Sequence, residues 1–431
     1  MERNWLRVMA ELGGNVFLLI LGIGVALTLA EGGTRLLHLA PPSEHPGWFW
    51  QLDHELGWFH IPGASGHWFN PYNEYNVEVW INSHGLRDRQ YTYVKPSGVR
   101  RILVLGDSYA EALQVPLEQT FHERLEQRLN ATGDGPVEVI SAGVAGYGTD
   151  QELLLFRRLG VRYDPDLVLL AFFPGNDFMN NYRPLEVANF GSEQKRFFKL
   201  VNGRLRLIEH SVTRPRGREK LRQVVNERKQ QLAFLRPWLQ EHSALYRFAE
   251  PVLRDAMPDV AFVLVGWGLL QPGRETKLIE AGPDYIPIAY HVYQQPLTPD
   301  WLEGEKVTWA LIRALRDETA AIGARFAVVV LEAQEQIYDW AWDMAQKRYP
   351  AMGARVWNRE QPNTRVDAWL KEEGIPYLDL LPAFQQGAED GLLLHYQHDG
   401  HWTAAGHRLA SDLIYDFVLT RGLLPPGKED E

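Results

Sequence analysis

The sequence predicts an α/β protein, a parallel sheet of about five strands preceded by one N-terminal helix long enough to cross a bilayer. Two patterns carry the sheet. Five short apolar runs, RILVL (101–105), VEVISAG (137–143), LVLLAFF (167–173), RFAVVVL (325–331) and PYLDL (376–380), lack the polar alternation of a half-exposed strand, as strands covered on both faces do. The segments between them have helical spacing instead. Leu117, Phe121, Leu125 and Leu129 fall every fourth residue, Trp309, Ile312, Leu315, Arg316 and Thr319 precede the fourth run, and Leu409, Leu413, Ile414, Phe417 and Val418 mark a last helix. Strand and helix in alternation imply a doubly wound sheet with right-handed crossovers.

In chain order the first element is the apolar one. Leu12 to Ala30 is nineteen residues without a charge, which at about 1.5 Å per residue nearly spans a hydrocarbon core of about 30 Å. Arg3 and Arg7 precede it and outweigh the lone Arg35 just after it, so the positive-inside bias sets the N-terminus in the cytoplasm and everything beyond residue 35 outside. A lipid bilayer is therefore an expected partner, through an anchor at residues 1–40. Thr28-Leu29-Ala30 loosely imitates a small-residue cleavage site, which leaves a cleaved signal peptide and a buried core helix as competing assignments.

Composition bounds the rest. A chain of 431 residues that is 45% hydrophobic and 12% aromatic has enough apolar surface for a full core, which excludes a disordered tail protein. The absence of cysteine excludes a disulfide scaffold and thiol chemistry. With 44 basic residues against 55 acidic ones, the net charge of -11 offers a phosphate backbone little attraction, so nucleic acid is not an expected partner.

After Pro41-Pro42, residues 41–96 are aromatic and rich in Gly and His, and the alternating EYNVEVWIN reads as a β-rich lead-in. Within it NSHGLRDRQY (82–91) reads as a solvated turn. Residues 97–182 and 301–425 carry the sheet. Residues 183–300 interrupt it with a hairpin-like FFKLVNGRLRLI, a basic run and an apolar block from Val260 to Leu270. This insertion follows a strand's carboxyl end, where open sheets bind ligands, and is either a wall or lid of the site or a packed decoration.

The sharpest chemical feature is RILVLGDSYAEAL, a strand that turns through Gly106-Asp107-Ser108 directly into a helix. Such a turn exposes a hydroxyl at the sheet's carboxyl edge and suits Ser108 to be a nucleophile; Asp107 or Ser108 as a mere helix cap is the bland alternative. A serine needs a base and the base an orienting group. HYQHDGHWTAAGH supplies both: Asp399 and His401, two apart in an extended loop, project to one side, so the carboxylate can accept the Nδ1 proton and leave Nε2 for Ser108. His395, His398, Asp399 and His401 also form a possible metal-ligand set, and a structural histidine cluster is the third option. Gly146 in GVAGYG and Asn176 in PGND end the second and third strands. With the Ser108 N–H they offer three donors to a tetrahedral oxyanion, each worth about 3 kcal/mol of barrier.

The order of these pieces, GDS after strand one, Gly146 after strand two, Asn176 after strand three and Asp399-Gly400-His401 before the last helix, resembles the SGNH, or GDSL, hydrolase family. Ser108, Gly146, Asn176 and His401 match its four namesake positions, over about residues 101–182 and 301–420. The resemblance implies a flavodoxin-like three-layer sandwich and a Ser-His-Asp esterase or acyltransferase, with Ser108, His401 and Asp399 catalytic, Ser108, Gly146 and Asn176 as the oxyanion hole, and neither a metal nor an organic cofactor. Two features depart from the pattern: the usual D-x-x-H is shortened to Asp399-Gly400-His401, and Pro174 replaces the first glycine of G-x-N-D. The first departure, continued by Trp402 and Thr403, resembles the alginate O-acetyltransferase-like branch, where the same string precedes the serine motif rather than following it. The likeness to that branch is partial, and His398 stays beside His401 as an alternative base. The expected substrate is an acyl ester, acetyl foremost, of an extracytoplasmic carbohydrate. A non-catalytic glycan- or protein-binding scaffold and a metal-dependent hydrolase are the competing classes.

Overall fold

The computed structural model describes residues 2–43, 46–131, 135–190, 195–208, 231–273 and 282–425. In chain order they form helix α1 (Glu2–Leu36), strands β1 (Trp50–Asp53), β2 (Gly57–His60), β3 (Ser65–Phe69), β4 (Asn76–Trp80) and β5 (Arg100–Gly106), then α2 (Ser108–Glu111), α3 (Phe121–Ala131), β6 (Val137–Gly143), α4 (Thr149–Arg158), β7 (Leu167–Phe172) and α5 (Asp177–Asn180). There follow β8 (Phe197–Val201), β9 (Arg204–Ile208), α6 (Leu235–His242), α7 (Ala244–Ala256), α8 (Pro258–Trp267), α9 (Pro299–Ala321), β10 (Arg325–Val330), α10 (Gln334–Ile337), β11 (Tyr377–Asp379) and α11 (Ala404–Thr420), with further helices and short strands between them. The chain divides into two compact units, one from 1–45, 69–74 and 222–280, the other from 46–68, 75–221 and 281–431.

The larger unit contains the sheet. All five apolar runs are its strands, in the order β11-β10-β7-β5-β6 and parallel throughout. This is the flavodoxin-like order 2-1-3-4-5. The chain leaves β5 for β6 on one side and then crosses to β7 on the other, so the topological switch point, where such sheets open a crevice, lies at the carboxyl end of β5. Ile102, Val104, Val139 and Leu169 face α3 and α11, whose Phe121, Leu125, Leu129, Ile414 and Val418 are buried with them. α4 and α9 pack together on the sheet as the other outer layer. Each fully buried Leu or Ile here contributes about 1.5–3 kcal/mol.

Local chemistry sets the boundaries. α3 begins at Phe121 rather than at Leu117, because Pro116 and Thr120 hold extended backbone and confine Leu117 to a separate short turn. FFKLVNGRLRLI is an antiparallel hairpin; Asn202 and Gly203 both take positive φ, the geometry of the tight turn that matches strand twist. The lead-in is two hairpins, β1–β2 and β3–β4. Alternation along β4 turns Val77 and Val79 inward, and these pack with Phe49, Tyr75, Ile81 and Leu113.

The 82–91 turn is only partly solvated, with Ser83, Arg89 and Gln90 exposed. Arg87 and Asp88 are buried. Asp88 accepts the Ser141 N–H of β6 at 2.7 Å, Arg87 donates to the Val115 carbonyl, and Arg89 pairs with Glu123 and Glu126 of α3. Mixed charge here satisfies backbone and acids under the sheet, a use that local sequence does not distinguish from hydration.

In the smaller unit α1 is exposed from Gly13 through Ala30, and Gly13–Leu36 is long and apolar enough to cross a membrane, a test that a signal sequence also passes. The ambiguous apolar block is helix α8. Its Ala261 and Val265 form a small core with Leu270, against Tyr246 and Leu253 of α7.

Candidate active site

Ser108 stands at the carboxyl end of β5, on the first residue of α2. Asp107 caps that turn: its Oδ1 accepts the Tyr109 N–H at 2.9 Å. The capping and nucleophile readings of the motif therefore fall on different residues. α2 is one turn long, ending at Ala112 in the left-handed region, so little helix dipole stands behind the hydroxyl. The turn is packed tightly on β6. A Cβ on Gly143 would lie 2.3 Å from the Glu111 nitrogen, which is why the second strand ends in glycine.

The loop of His401 reaches the same place from the other end of the chain. His395 and Trp402 form an isolated antiparallel bridge, Tyr396 donates its N–H to the His401 carbonyl at 2.9 Å, and Thr403 caps α11 through its hydroxyl. Trp402 is fully buried, with its Nε1 donating to Glu332 at 2.7 Å beyond β10. Tyr109 joins the two loops, since its ring lies 5.1 Å from that of His401 and its hydroxyl donates to the Gly400 carbonyl at 3.2 Å.

The structure thereby brings together three of the residues singled out from the sequence. His401 Nε2 is 2.8 Å from Ser108 Oγ, and His401 Nδ1 is 2.6 Å from Asp399 Oδ1. Burial acts to lower the His401 pKa, but the Asp399 carboxylate, its hydrogen bond and the charges of Asp107 and Glu111 outweigh it, so the imidazole is raised above its ordinary value. Burial would raise Asp399, yet His401 and the Tyr75 hydroxyl hold it below the usual carboxylate range. His398 is exposed on the same loop and His395 is buried against Glu332 at 3.4 Å. Burial pushes His395 down to about 3. Of these histidines, His401 is the one whose ring meets the serine.

Asn176 and Gly146 flank the serine turn. Asn176 Nδ2 donates to Asp107 Oδ2 at 2.6 Å, which ties the third strand's end to the residue next to Ser108. Burial pushes the Asp107 carboxyl up to about 6, against the Tyr109 N–H and the Asn176 amide. Gly146 adopts φ +75, which a β-carbon would strain, and its carbonyl accepts from Asn180 Nδ2 at 3.0 Å. Trp58 of β2 covers it: the indole Nε1 donates to the Ala145 carbonyl at 2.9 Å, and the ring edge lies 3.4 Å from where a Gly146 Cβ would sit.

Residues 104–409 match the GDSL-like lipase/acylhydrolase family. The chain belongs to that family. It is accordingly an ester-bond hydrolase, which selects the enzyme over the non-catalytic scaffold. Among solved structures the GDSL chain is similar to TesA (13% identity, TM-score 0.35, covering 75% of this chain and 100% of that one). It is also similar to the lipase/acylhydrolase from Enterococcus faecalis (14%, 0.34, 77% and 100%) and to a catalytic mutant of Axe2, an acetylxylan esterase from Geobacillus stearothermophilus (11%, 0.33, 76% and 96%). No curated relative matches the sequence.

Several residues at this GDSL site were not visible to motif reasoning. Tyr75 donates its hydroxyl to Asp399 Oδ2 at 2.6 Å from a position 324 residues away. Glu111 holds His60 at 2.5 Å and Trp50 Nε1 at 2.9 Å, fastening the lead-in to the serine turn. The one clue was the alternation in EYNVEVWIN, which sets Tyr75 in register with Val77 and Val79 on the inward side. As for metals, the described residues whose ligand atoms gather within 4.8 Å are Asp88, His122 and Glu123, all buried. Glu123 is already paired with Arg89 and Asp88 with the Ser141 N–H, so this group is accounted for as a buried polar joint. The sequence-derived set His395, His398, Asp399 and His401 is not such a group.

Proposed function

We propose that this GDSL hydrolase is a membrane-anchored, extracytoplasmic serine esterase or O-acyltransferase acting on an acyl ester, acetyl foremost, of a carbohydrate. The observation that carries the reading is the hydrogen-bonded relay from Ser108 through His401 to Asp399, at 2.8 and 2.6 Å. His401 Nε2 takes the proton of Ser108 as Oγ attacks the ester carbonyl, and Asp399 stabilises the imidazolium that forms. The N–H groups of Ser108 and Gly146 and the Asn176 amide receive the oxyanion. His401 then gives its proton to the departing alcohol, leaving an acyl-Ser108. Water attacks that ester to complete hydrolysis; a sugar hydroxyl in its place completes transfer.

Three features support the finer parts. Asp107 orients the Asn176 amide beside Ser108, and the half-buried Trp58 ring next to Gly146 is the kind of surface on which a sugar ring stacks. The apolar stretch of α1 and the Arg3 and Arg7 bias before it support an anchor with the enzyme outside. The division into anchor (1–40), lead-in (41–96), hydrolase parts (97–182 and 301–425) and insertion (183–300) belongs to the same proposal.

The test is hydrolysis of p-nitrophenyl acetate by wild type and Ser108→Ala, each with and without chelator. The expected outcome is loss of turnover in Ser108→Ala and no effect of chelator. Equal rates for the two proteins would overturn the serine mechanism. Loss with chelator alone would put a metal in its place. Adding an oligosaccharide acceptor and following acetylated sugar by mass spectrometry separates transfer from hydrolysis.

A further inference from the structure

We infer that α6, α7 and α8 form a platform that lies in the lipid–water interface beside the anchor helix, dipping its apolar face among the lipid headgroups. The inference rests on the anchored reading of α1. It names a second membrane contact, made by the middle of the chain rather than by its N-terminus.

Trp238, Val252, Val260, Val263 and Trp267 on these helices, with Phe234 and Met257 at their ends, are exposed although apolar. Scattered apolar residues on a surface are ordinary, but here they are concentrated. Val260, Val263 and Trp267 recur at i, i+3 and i+7 of α8 and so share one face of it. The opposite side of the same helix supplies Ala261 and Val265 to the unit's small core. A helix apolar all round is normally enclosed in protein or lipid, and α8 is enclosed on one side. Its 10 residues rise only about 15 Å, half of a hydrocarbon core of about 30 Å, so it lies along a bilayer and does not cross one.

What identifies the occupant as lipid is the level at which these helices are attached. The uncharged stretch of α1 ends at Ala30, so once it fills the hydrocarbon the next residue, Glu31, stands at the boundary with water. Glu31 is the joint. Its carboxylate accepts the Ala244 and Leu245 N–H groups and the Ser243 hydroxyl, each at 2.9 Å, at the N-terminus of α7, where negative charge is favoured. Arg35 Nη2 donates to the His242 carbonyl at the end of α6, and Arg247 Nε to the Pro41 carbonyl at 3.0 Å. Four bonds through Glu31 and Arg35 thus tie α6 and α7 to the end of α1 that leaves the membrane, a fifth holds α7 to Pro41 just beyond it, and α8 packs on α7. Trp238 and Trp267 at this depth are the residues that prefer the headgroup region, and Arg236, Arg247 and Arg254 supply cations on the same helices.

The absence of cysteine makes the test clean. Single variants Val260→Cys, Val263→Cys and Trp267→Cys of the full chain, with Leu19→Cys in α1 and the exposed Val94→Cys as references, are nitroxide-labelled and reconstituted in vesicles of phosphatidylcholine and phosphatidylglycerol. Oxygen and a water-soluble nickel chelate then report relaxation at each label. The expected result is high oxygen and low nickel accessibility at 260, 263 and 267, at a depth of about 5–10 Å, deeper insertion at 19, and the reverse pattern at 94. If label 19 is in lipid while 260, 263 and 267 are open to nickel, the platform is overturned and the anchor stands. If those three exclude both reagents, they are covered by protein, and the lipid assignment is equally overturned. If label 19 itself is open to nickel, the anchor reading fails and the platform with it.

Discussion

Replacing Tyr75 by Phe removes one oxygen, and with it the hydrogen bond that steadies the far side of the proposed catalytic carboxylate. Asp399 uses Oδ1 for His401 and Oδ2 for Tyr75, each at 2.6 Å. A hydrogen bond to a charged group is worth about 1.5–3 kcal/mol net, so its full expression in the transition state corresponds to a roughly ten- to hundredfold loss in kcat/KM. The Asp399 side chain is 17% exposed, so water replaces part of the lost donor and the expected loss is about tenfold. The fold tolerates the change, because the phenyl ring still fills the pocket among Phe49, Val77, Val79 and Leu113. The sign of the pH effect follows from charge: with one donor fewer the carboxylate is less neutralised, His401 holds its proton more tightly, and the rise of kcat/KM with pH moves to higher pH. Steady-state hydrolysis of p-nitrophenyl acetate across pH, with a urea melt of the same protein, measures both effects. A variant within roughly twofold of wild type at every pH, beside an inactive Asp399→Asn, would refute a positioning role for Tyr75.

Other consequences follow from the same geometry. Because the proposed mechanism needs a neutral His401 as base and its pKa is raised, wild-type kcat/KM should climb through a midpoint above the ordinary imidazole value of about 6.5, and Asp399→Asn should lower kcat by about 10⁴-fold with the fold intact; a midpoint below the ordinary value counts against the relay. Gly143→Ala would set a methyl 2.3 Å from the Glu111 nitrogen and 2.4 Å from the Ala110 carbonyl carbon, both backbone, so α2 must shift. A destabilisation of about 1–3 kcal/mol and a fall in activity are expected in urea melts and acetate assays, and wild-type behaviour would show that the turn is not rigidly held. His407 is buried, is held well below its ordinary pKa by that burial, and accepts the Phe121 N–H at Nδ1 at 3.3 Å. The unfolded chain therefore takes up this proton near pH 6.5 while the folded one does not, so stability falls with decreasing pH by about 1.4 kcal/mol per unit from this group. His407→Gln should flatten the stability profile between about pH 6.5 and 5 by that slope, read from urea midpoints, and an unchanged slope would show that His407 does not titrate on unfolding.

The parts of the site that were legible in the sequence are those with a local signature. A strand buried on both faces must be apolar without alternation, so each of β5, β6, β7, β10 and β11 announces itself. The serine turn, the glycine turn and the asparagine turn follow such strands within a few residues, and topology then delivers all three to one edge of the sheet. Tyr75, Trp58 and the Glu111–His60 pair have no such signature. Each does its work across a long loop closure, and a tyrosine that supports a carboxylate has the same local pattern as one that only fills a hairpin core. The 82–91 turn misleads for the same reason, since Arg87 and Asp88 look hydrated until β6 and the Val115 carbonyl are seen beside them.

Strand count, sheet class, the apolar N-terminal helix and the candidacy of Ser108, Asp399 and the histidines beside it were thus legible in short-range pattern, because periodicity and motif spacing are properties of contiguous residues. Which histidine meets the serine, which tyrosine holds the carboxylate and which glutamate fastens α1 to α7 were decided only when distant segments folded together. A hydrogen bond of 2.6 to 2.9 Å depends on where two chains lie in space, and nothing in their local composition specifies that distance.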